Sequence, residues 1–213
     1  MKAILIHGMA RSPLSFTLLA YRLRRAGLGV STFGYFAALE SFSRCTRRLA
    51  ARIHSFARDD QYMLVGHSLG SIVIRGTLSQ LSEKLPAACF FLAPPSQVSR
   101  AAKTFRKNFL FRAYTGEMGQ LLSDPSFYSN LPLPPMPTTI YAGTRGINGN
   151  WSPFGTEPND GVLTVAETKI SDDYPMVYLP RVHTFIMNAR QVADDIIDTA
   201  RRLESGKTES AQP

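Results

Sequence analysis

Cysteine is scarce in this 213-residue chain. Its two cysteines, Cys45 and Cys89, fall in a predicted helix and a predicted strand. They read as small buried apolar side chains, which excludes a disulfide framework as the basis of the fold. Metal-ligand spacing is lacking as well. His7, His54, His67 and His183 are not interleaved with Cys or acidic residues in a ligand pattern, so no metal site is expected. The apolar stretch after Lys2 ends at His7, too soon for a signal-peptide core or a membrane span, and a cytoplasmic protein is the expectation. Acidic residues are outnumbered, 16 Asp and Glu against 24 Lys and Arg, giving a formal net charge of +8. The basic residues are spread over several predicted helices without a recognised binding motif. A solvated basic surface is therefore expected, and nucleic-acid binding is not.

What the chain does have is apolar content, 44% of its residues, enough for one domain with a sizeable core. Residues 3–6, 29–33, 61–65, 87–92, 138–142 and 176–179 read as six short strands. They are continuous apolar runs rather than alternating ones, and helical patterns lie between them. That combination predicts an α/β fold with a mostly parallel sheet covered on both faces. Ser12 and Pro13 open the first helix as cap and first residue, Phe16, Leu19, Ala20 and Leu23 line its inner face, and Gly27 closes it. Cys45, Leu49, Ile53 and Phe56 mark a second helix, and Val192, Ala193, Ile196, Ala200 and Leu203 the last. The domain is expected to occupy residues 1–203, with residues 204–213 as a polar, disordered tail. Residues 96–137 break the rhythm and read as a cap-like insertion. They carry a basic-aromatic helix (Arg100, Lys103, Phe105, Arg106, Lys107, Phe109, Phe111, Arg112) that suits a packed cap or a transient membrane-surface contact.

One pentapeptide organises the rest: Gly66-His67-Ser68-Leu69-Gly70, between a predicted strand and a predicted helix. A G-x-S-x-G sequence in that context holds the serine hydroxyl out on a sharp turn, with small residues on either side to avoid backbone clashes. The helix start behind it favours developing negative charge. A serine becomes a useful nucleophile only when a base takes its proton and a carboxylate holds that base in the right tautomer. Only His183 lies downstream of Ser68, in a loop between the last strand and the last helix. Asp160 is the chosen acid, in the loop after the fifth strand and so at the same sheet edge. Asn159-Asp160-Gly161 is also a common turn sequence, and Glu157 is the reserve. Asp124, Asp172, Asp173, Asp194, Asp195 and Asp198 sit in less suitable elements. The backbone N–H groups of Met9 and Leu69 are the candidate oxyanion donors. His7 and His67 flank glycine turns and are expected to support loops; His54 is expected to be exposed.

The set Ile6-His7-Gly8-Met9, Gly66-His67-Ser68-Leu69-Gly70, Leu92-Ala93-Pro94-Pro95, Asn159-Asp160-Gly161-Val162 and Val182-His183-Thr184-Phe185-Ile186-Met187 resembles the compact lipase/esterase branch of the α/β-hydrolases. The pieces span nearly the whole chain in the family's order. The resemblance implies a minimal α/β-hydrolase fold and a triad of Ser68, Asp160 and His183 with an oxyanion hole at Met9 and Leu69. It further implies cofactor-free hydrolysis of a small-molecule or lipid ester. The first predicted strand already leads into His7-Gly8, so a sheet without the antiparallel strands that open larger members is expected. A thioesterase or acyltransferase would use the same triad, and a hydrolase-fold protein that only binds a ligand or membrane would keep the same frame.

Overall fold

The computed structural model describes residues 1–81, 84–98 and 109–210. Six parallel strands, β1 (Lys2–Ile6), β2 (Gly29–Phe33), β3 (Tyr62–His67), β4 (Ala88–Leu92), β5 (Thr138–Gly143) and β6 (Met176–Leu179), form one sheet. Their order is β2-β1-β3-β4-β5-β6. Each strand follows the predicted segment to within two residues. The inner strands β1, β3, β4 and β5 are buried along almost their whole length and so are largely apolar on both faces, whereas the edge strands β2 and β6 are only partly buried. Along β1, Ile4 and Ile6 join the cluster on one side of the sheet, while Ala3 and Leu5 join the cluster on the other. β3 and β4 divide in the same way.

Helices α2 (Phe42–Ala57) and α3 (Leu69–Leu78) cover the first face. Helices α1 (Thr17–Arg25) and α7 (Arg190–Ser210) cover the second. On α1 and α7, Leu19, Leu23, Val192 and Ile196 are fully buried, each worth about 1.5–3 kcal/mol of transfer free energy. Cys45 and Cys89 are buried free thiols, as read from the sequence. Burial pushes the Cys45 thiol up to about 12, leaving no thiolate at neutral pH.

Two element ends differ from expectation. The turn before α1, Pro13–Phe16, is a 3-10 helix, and the Ser12 side chain makes no capping hydrogen bond. Its carbonyl instead accepts from the Ser15 N–H (3.0 Å) and hydroxyl (2.8 Å), as i→i+3 bonding dictates. At the other end, α7 continues through Ser210 rather than stopping at Leu203. Just past Leu203, the Met1 ammonium pairs with Glu204 at 2.6 Å.

In the insertion, α4 (Phe109–Leu121) and α5 (Pro125–Ser129) are helical. Arg100, Lys103, Phe105, Arg106 and Lys107 of the basic-aromatic segment lie outside the described residues. The insertion is tied down by Arg75 on α3. Its buried guanidinium donates to the carbonyls of Leu131 (2.8 Å) and Pro132 (3.0 Å). No helix among the described residues is long and apolar enough to cross a membrane.

Strand order determines where a site can form. From β1 the chain moves outward to β2, then returns to place β3 on the opposite side of β1. A crevice opens at such a reversal, beyond the carboxyl ends of the strands. The loops leaving β1 and β3, which carry His7-Gly8 and Ser68, emerge there side by side.

Candidate active site

Ser68 joins β3 to α3 with φ 51° and ψ −121°, left-handed backbone that a side-chain-bearing residue adopts at a cost of about 1–3 kcal/mol. The surroundings hold it there. The Ser68 N–H donates to the Leu92 carbonyl (2.9 Å), and its carbonyl accepts from the Ser71 N–H (2.9 Å). The flanking glycines are required by crowding. A Cβ on Gly66 would stand 2.7 Å from the Ser71 backbone, and one on Gly70 would overlap the Ile6 carbonyl oxygen.

The β1 loop lies directly against this corner: a Cβ on Gly8 would stand 3.0 Å from Ser68 Cβ. His7 fixes that loop. Its ring stacks on Tyr35 at 4.5 Å, its Nδ1 donates to the Gly8 carbonyl (2.9 Å), and its Nε2 accepts from the Tyr35 N–H (3.3 Å). The Tyr35 hydroxyl donates to the His7 carbonyl at 2.8 Å. Neither the Met9 nor the Leu69 N–H has a hydrogen-bond acceptor among the described residues. Two candidate donors are thus left unengaged beside the serine.

On the other side, two loops bring Asp160 and His183 together. Both are buried, and His183 Nδ1 donates to Asp160 Oδ2 at 2.7 Å. The second carboxylate oxygen accepts from the N–H groups of Val162 (2.9 Å) and Leu163 (2.8 Å). The His183 N–H donates to the Asp160 carbonyl at 2.9 Å, tying the loops by their main chains as well. Asn159, fully buried, organises the turn: its carbonyl oxygen accepts from the Gly161 N–H, and its amide donates to the Glu157 carbonyl. The segment that follows is stopped by a capping box between Thr164 and Glu167 on α6 (Val165–Thr168). This pairing requires the Nδ1–H tautomer of His183, which leaves its Nε2 lone pair free to take a proton.

All six aspartates set aside from the sequence have partners elsewhere. Asp195 accepts from the Tyr141 hydroxyl, Asp124 caps α5, Asp172 pairs with Lys169, Asp194 with Arg190, and Asp198 with Arg201. The sixth, Asp173, accepts from the Ser171 hydroxyl. Glu157, the reserve, is exposed.

His67 makes a link that the sequence does not announce. Its Nε2 donates to the His183 carbonyl at 3.0 Å, and the two rings lie 4.9 Å apart. A carbonyl only accepts, so Nε2 carries the proton, and Nδ1 is a buried lone pair with no partner among the described residues. Burial, aided by His183, holds the His67 pKa well below that of a free imidazole, and the ring is neutral. The residue preceding Ser68 thereby anchors the loop carrying His183. The Ser68 hydroxyl itself makes no hydrogen bond to His183 among the described residues. Contacts of this type often tighten only when substrate binds. Among the described residues no group of three or more His, Cys, Asp or Glu is arranged to hold a metal.

The sequence matches no protein-family model and no curated protein sequence. Solved structures do match. The mature lipase BlEst2 of Bacillus licheniformis superposes with a TM-score of 0.67 at 15% identity, over 87% of this chain and 86% of that one. A metagenomic carboxyl esterase, MGS0156, gives 0.69 at 18% identity, over 86% of this chain and 64% of that longer one. The RedJ thioesterase of the Streptomyces coelicolor prodiginine pathway gives 0.60 at 14% identity, over 93% and 85%. The chain has the α/β-hydrolase fold.

Proposed function

We propose that the protein is a serine carboxylic-ester hydrolase with Ser68 as nucleophile, His183 as general base and acid, and Asp160 as the orienting carboxylate. The observation that carries this reading is the 2.7 Å Asp160–His183 pair, anchored through His67 to the strained corner that presents Ser68. Ser68 Oγ forms a bond to the acyl carbon while its proton passes to His183 Nε2. The imidazolium is stabilised by Asp160, and the tetrahedral oxyanion by the N–H groups of Met9 and Leu69. Collapse breaks the bond to the leaving alkoxide, which takes the proton from His183. Water then attacks the acyl-enzyme by the same route, returning a proton to Ser68 Oγ and releasing the acid. No cofactor enters these steps.

The substrate is a small-molecule or lipid ester, the lipid case bringing a transient contact with a membrane surface. Thioester hydrolysis or acyl transfer is the second reading, because the same constellation does not fix the acyl acceptor or leaving group, and a thioesterase shares the fold. The test is turnover of p-nitrophenyl butyrate and of a butyryl thioester by wild type and Ser68→Ala. Ester turnover that disappears in a folded Ser68→Ala variant supports the proposal. Ester turnover that survives the substitution defeats it.

A further inference from the structure

Two adjoining cavities of about 610 and 600 Å³ open at the carboxyl end of β1 and β2. Both are lined by His7, Arg11 and Phe36, so they form one cleft. Its inner end is Gly8, against Ser68, and its outer end is the first turns of α2 at Arg44 and Arg48. The wall formed by residues 36–39 is backed by the insertion, where Gly116 on α4 packs on the carbonyls of Ala37 and Ala38.

The charge in this cleft is one-sided. Three guanidinium groups, Arg11, Arg44 and Arg48, face a single carboxylate, Glu40. Arg48 is already committed: it binds both Glu40 oxygens, at 2.8 and 2.6 Å, and donates to the Gly34 carbonyl. Arg11 and Arg44 have no carboxylate partner among the described residues. Arg11 is half-buried, and its charge is felt at His67, the residue beside Ser68. The lip of the same cleft is apolar and out in water, with Leu14, Phe36 and Leu39 at 79%, 75% and 88% exposure. Exposed apolar groups beside uncompensated guanidinium forks suit a ligand with an apolar body and an anionic end.

We propose that this cleft is a recognition subsite for the anionic end of an ester substrate. Arg11 and Arg44 hold a carboxylate or phosphate there, and Leu14, Phe36 and Leu39 cover the adjoining hydrocarbon. The inference rests on the reading of Ser68 as nucleophile, since Gly8 is what places the cleft beside the reacting bond. It gives the net basic charge a local purpose that scattered surface arginines would not have.

The test uses two matched pairs of esters. p-Nitrophenyl hydrogen glutarate against p-nitrophenyl pentanoate places the anion on the acyl side. Butyryl glycerol phosphate against monobutyrin places it on the alcohol side. The quantity read is the ratio of kcat/KM, anionic over neutral, in wild type, Arg11→Gln, Arg44→Gln, Arg11→Lys and the remote control Arg202→Gln. For at least one pair the ratio falls about tenfold in each Gln variant, is partly kept in Arg11→Lys, and is unmoved in the control. The pair that responds identifies the source of the anion. Calorimetric binding of monoethyl glutarate and of glycerol phosphate to wild type and to Arg11→Gln runs in parallel. Ser68-dependent hydrolysis with unmoved ratios and unmoved binding overturns the subsite and leaves the hydrolase reading standing. Arg11-dependent binding of either anion by a protein that hydrolyses none of the esters supports the subsite and overturns the hydrolase reading.

Discussion

Replacing Asp160 in two ways separates its chemical role from its structural one. In Asp160→Asn the amide oxygen can still accept from the Val162 and Leu163 N–H groups, now at 2.9 and 2.8 Å. The amide NH₂ then faces His183 Nδ1, where the carboxylate oxygen stands at 2.7 Å. An NH₂ cannot accept, so the imidazole must turn its lone pair toward it and carry its proton on Nε2. The base toward Ser68 is lost, and a tautomer inversion of this kind costs on the order of 10⁴-fold in kcat. Stability changes by no more than about 1–2 kcal/mol, because each buried donor keeps an acceptor or is matched by a lone pair. Asp160→Ala is different. It orphans the Leu163 N–H and the His183 ring, both buried, while Val162 is exposed enough for water to serve its N–H. At about 1–3 kcal/mol for each buried orphan, the loss is about 2–6 kcal/mol, a large share of the about 5–15 kcal/mol typical of a domain. The assay is kcat on p-nitrophenyl butyrate alongside urea midpoints for both variants. An Asn variant within tenfold of wild-type kcat, or an Ala variant as stable as wild type, would refute the reasoning.

Other consequences can be measured with the same tools. Gly8→Ala places a methyl 2.8 Å from His67 Nδ1 and 3.0 Å from Ser68 Cβ, displacing the Met9 N–H. A fall of about 10²–10³ in kcat with a native-like circular dichroism spectrum is expected, and an unchanged kcat would argue against Met9 as an oxyanion donor. Gly70→Ala drives a methyl into the Ile6 carbonyl oxygen, so loss of soluble folded protein is expected; a normal melting curve would show that the corner can relax. His67 and His7 both have pKa values lowered by burial, so they stay neutral in the native state while unfolded copies protonate below the free imidazole value of 6.5. The unfolded state then binds more protons, and stability falls as the pH drops below that value. Thermal midpoints from pH 8 to pH 5 should show this, with a shallower slope in His67→Gln, and a slope unaltered by that substitution contradicts the assignment. Arg75→Met removes the charged donors from the Leu131 and Pro132 carbonyls and should cost about 2–3 kcal/mol in urea unfolding, a neutral result meaning that the insertion is held elsewhere.

Most of this architecture was legible in the sequence, for identifiable reasons. The inner strands β1, β3, β4 and β5 are buried along almost their whole length and leave apolar runs, while the edge strands β2 and β6 are only partly buried. Gly66 and Gly70 signalled a corner whose crowding the structure makes explicit. Chain order after Ser68 and loop position together single out Asp160 and His183, and the fold brings them to 2.7 Å. What escaped the sequence depends on contacts between distant segments. The His67 bond to the His183 carbonyl spans 116 positions and leaves no local pattern. Arg75 reads as an ordinary helix arginine until residues 131–132 fold over it. Arg11 and Arg44, 33 positions apart in sequence, line one cleft because the loops leaving the neighbouring strands β1 and β2 emerge together. The first turn misled for a different reason: Ser12-Pro13 suits a capped α-helix and a 3-10 turn equally well.

The central claim, that Ser68 is an activated nucleophile, is tested most directly by labelling the folded protein with a fluorophosphonate and mapping the modified peptide. The account predicts label on Ser68 in wild type, none in Ser68→Ala, and a severe loss in His183→Ala and Asp160→Asn. Absence of label on folded wild type, with and without detergent, or label at any other residue, would contradict it.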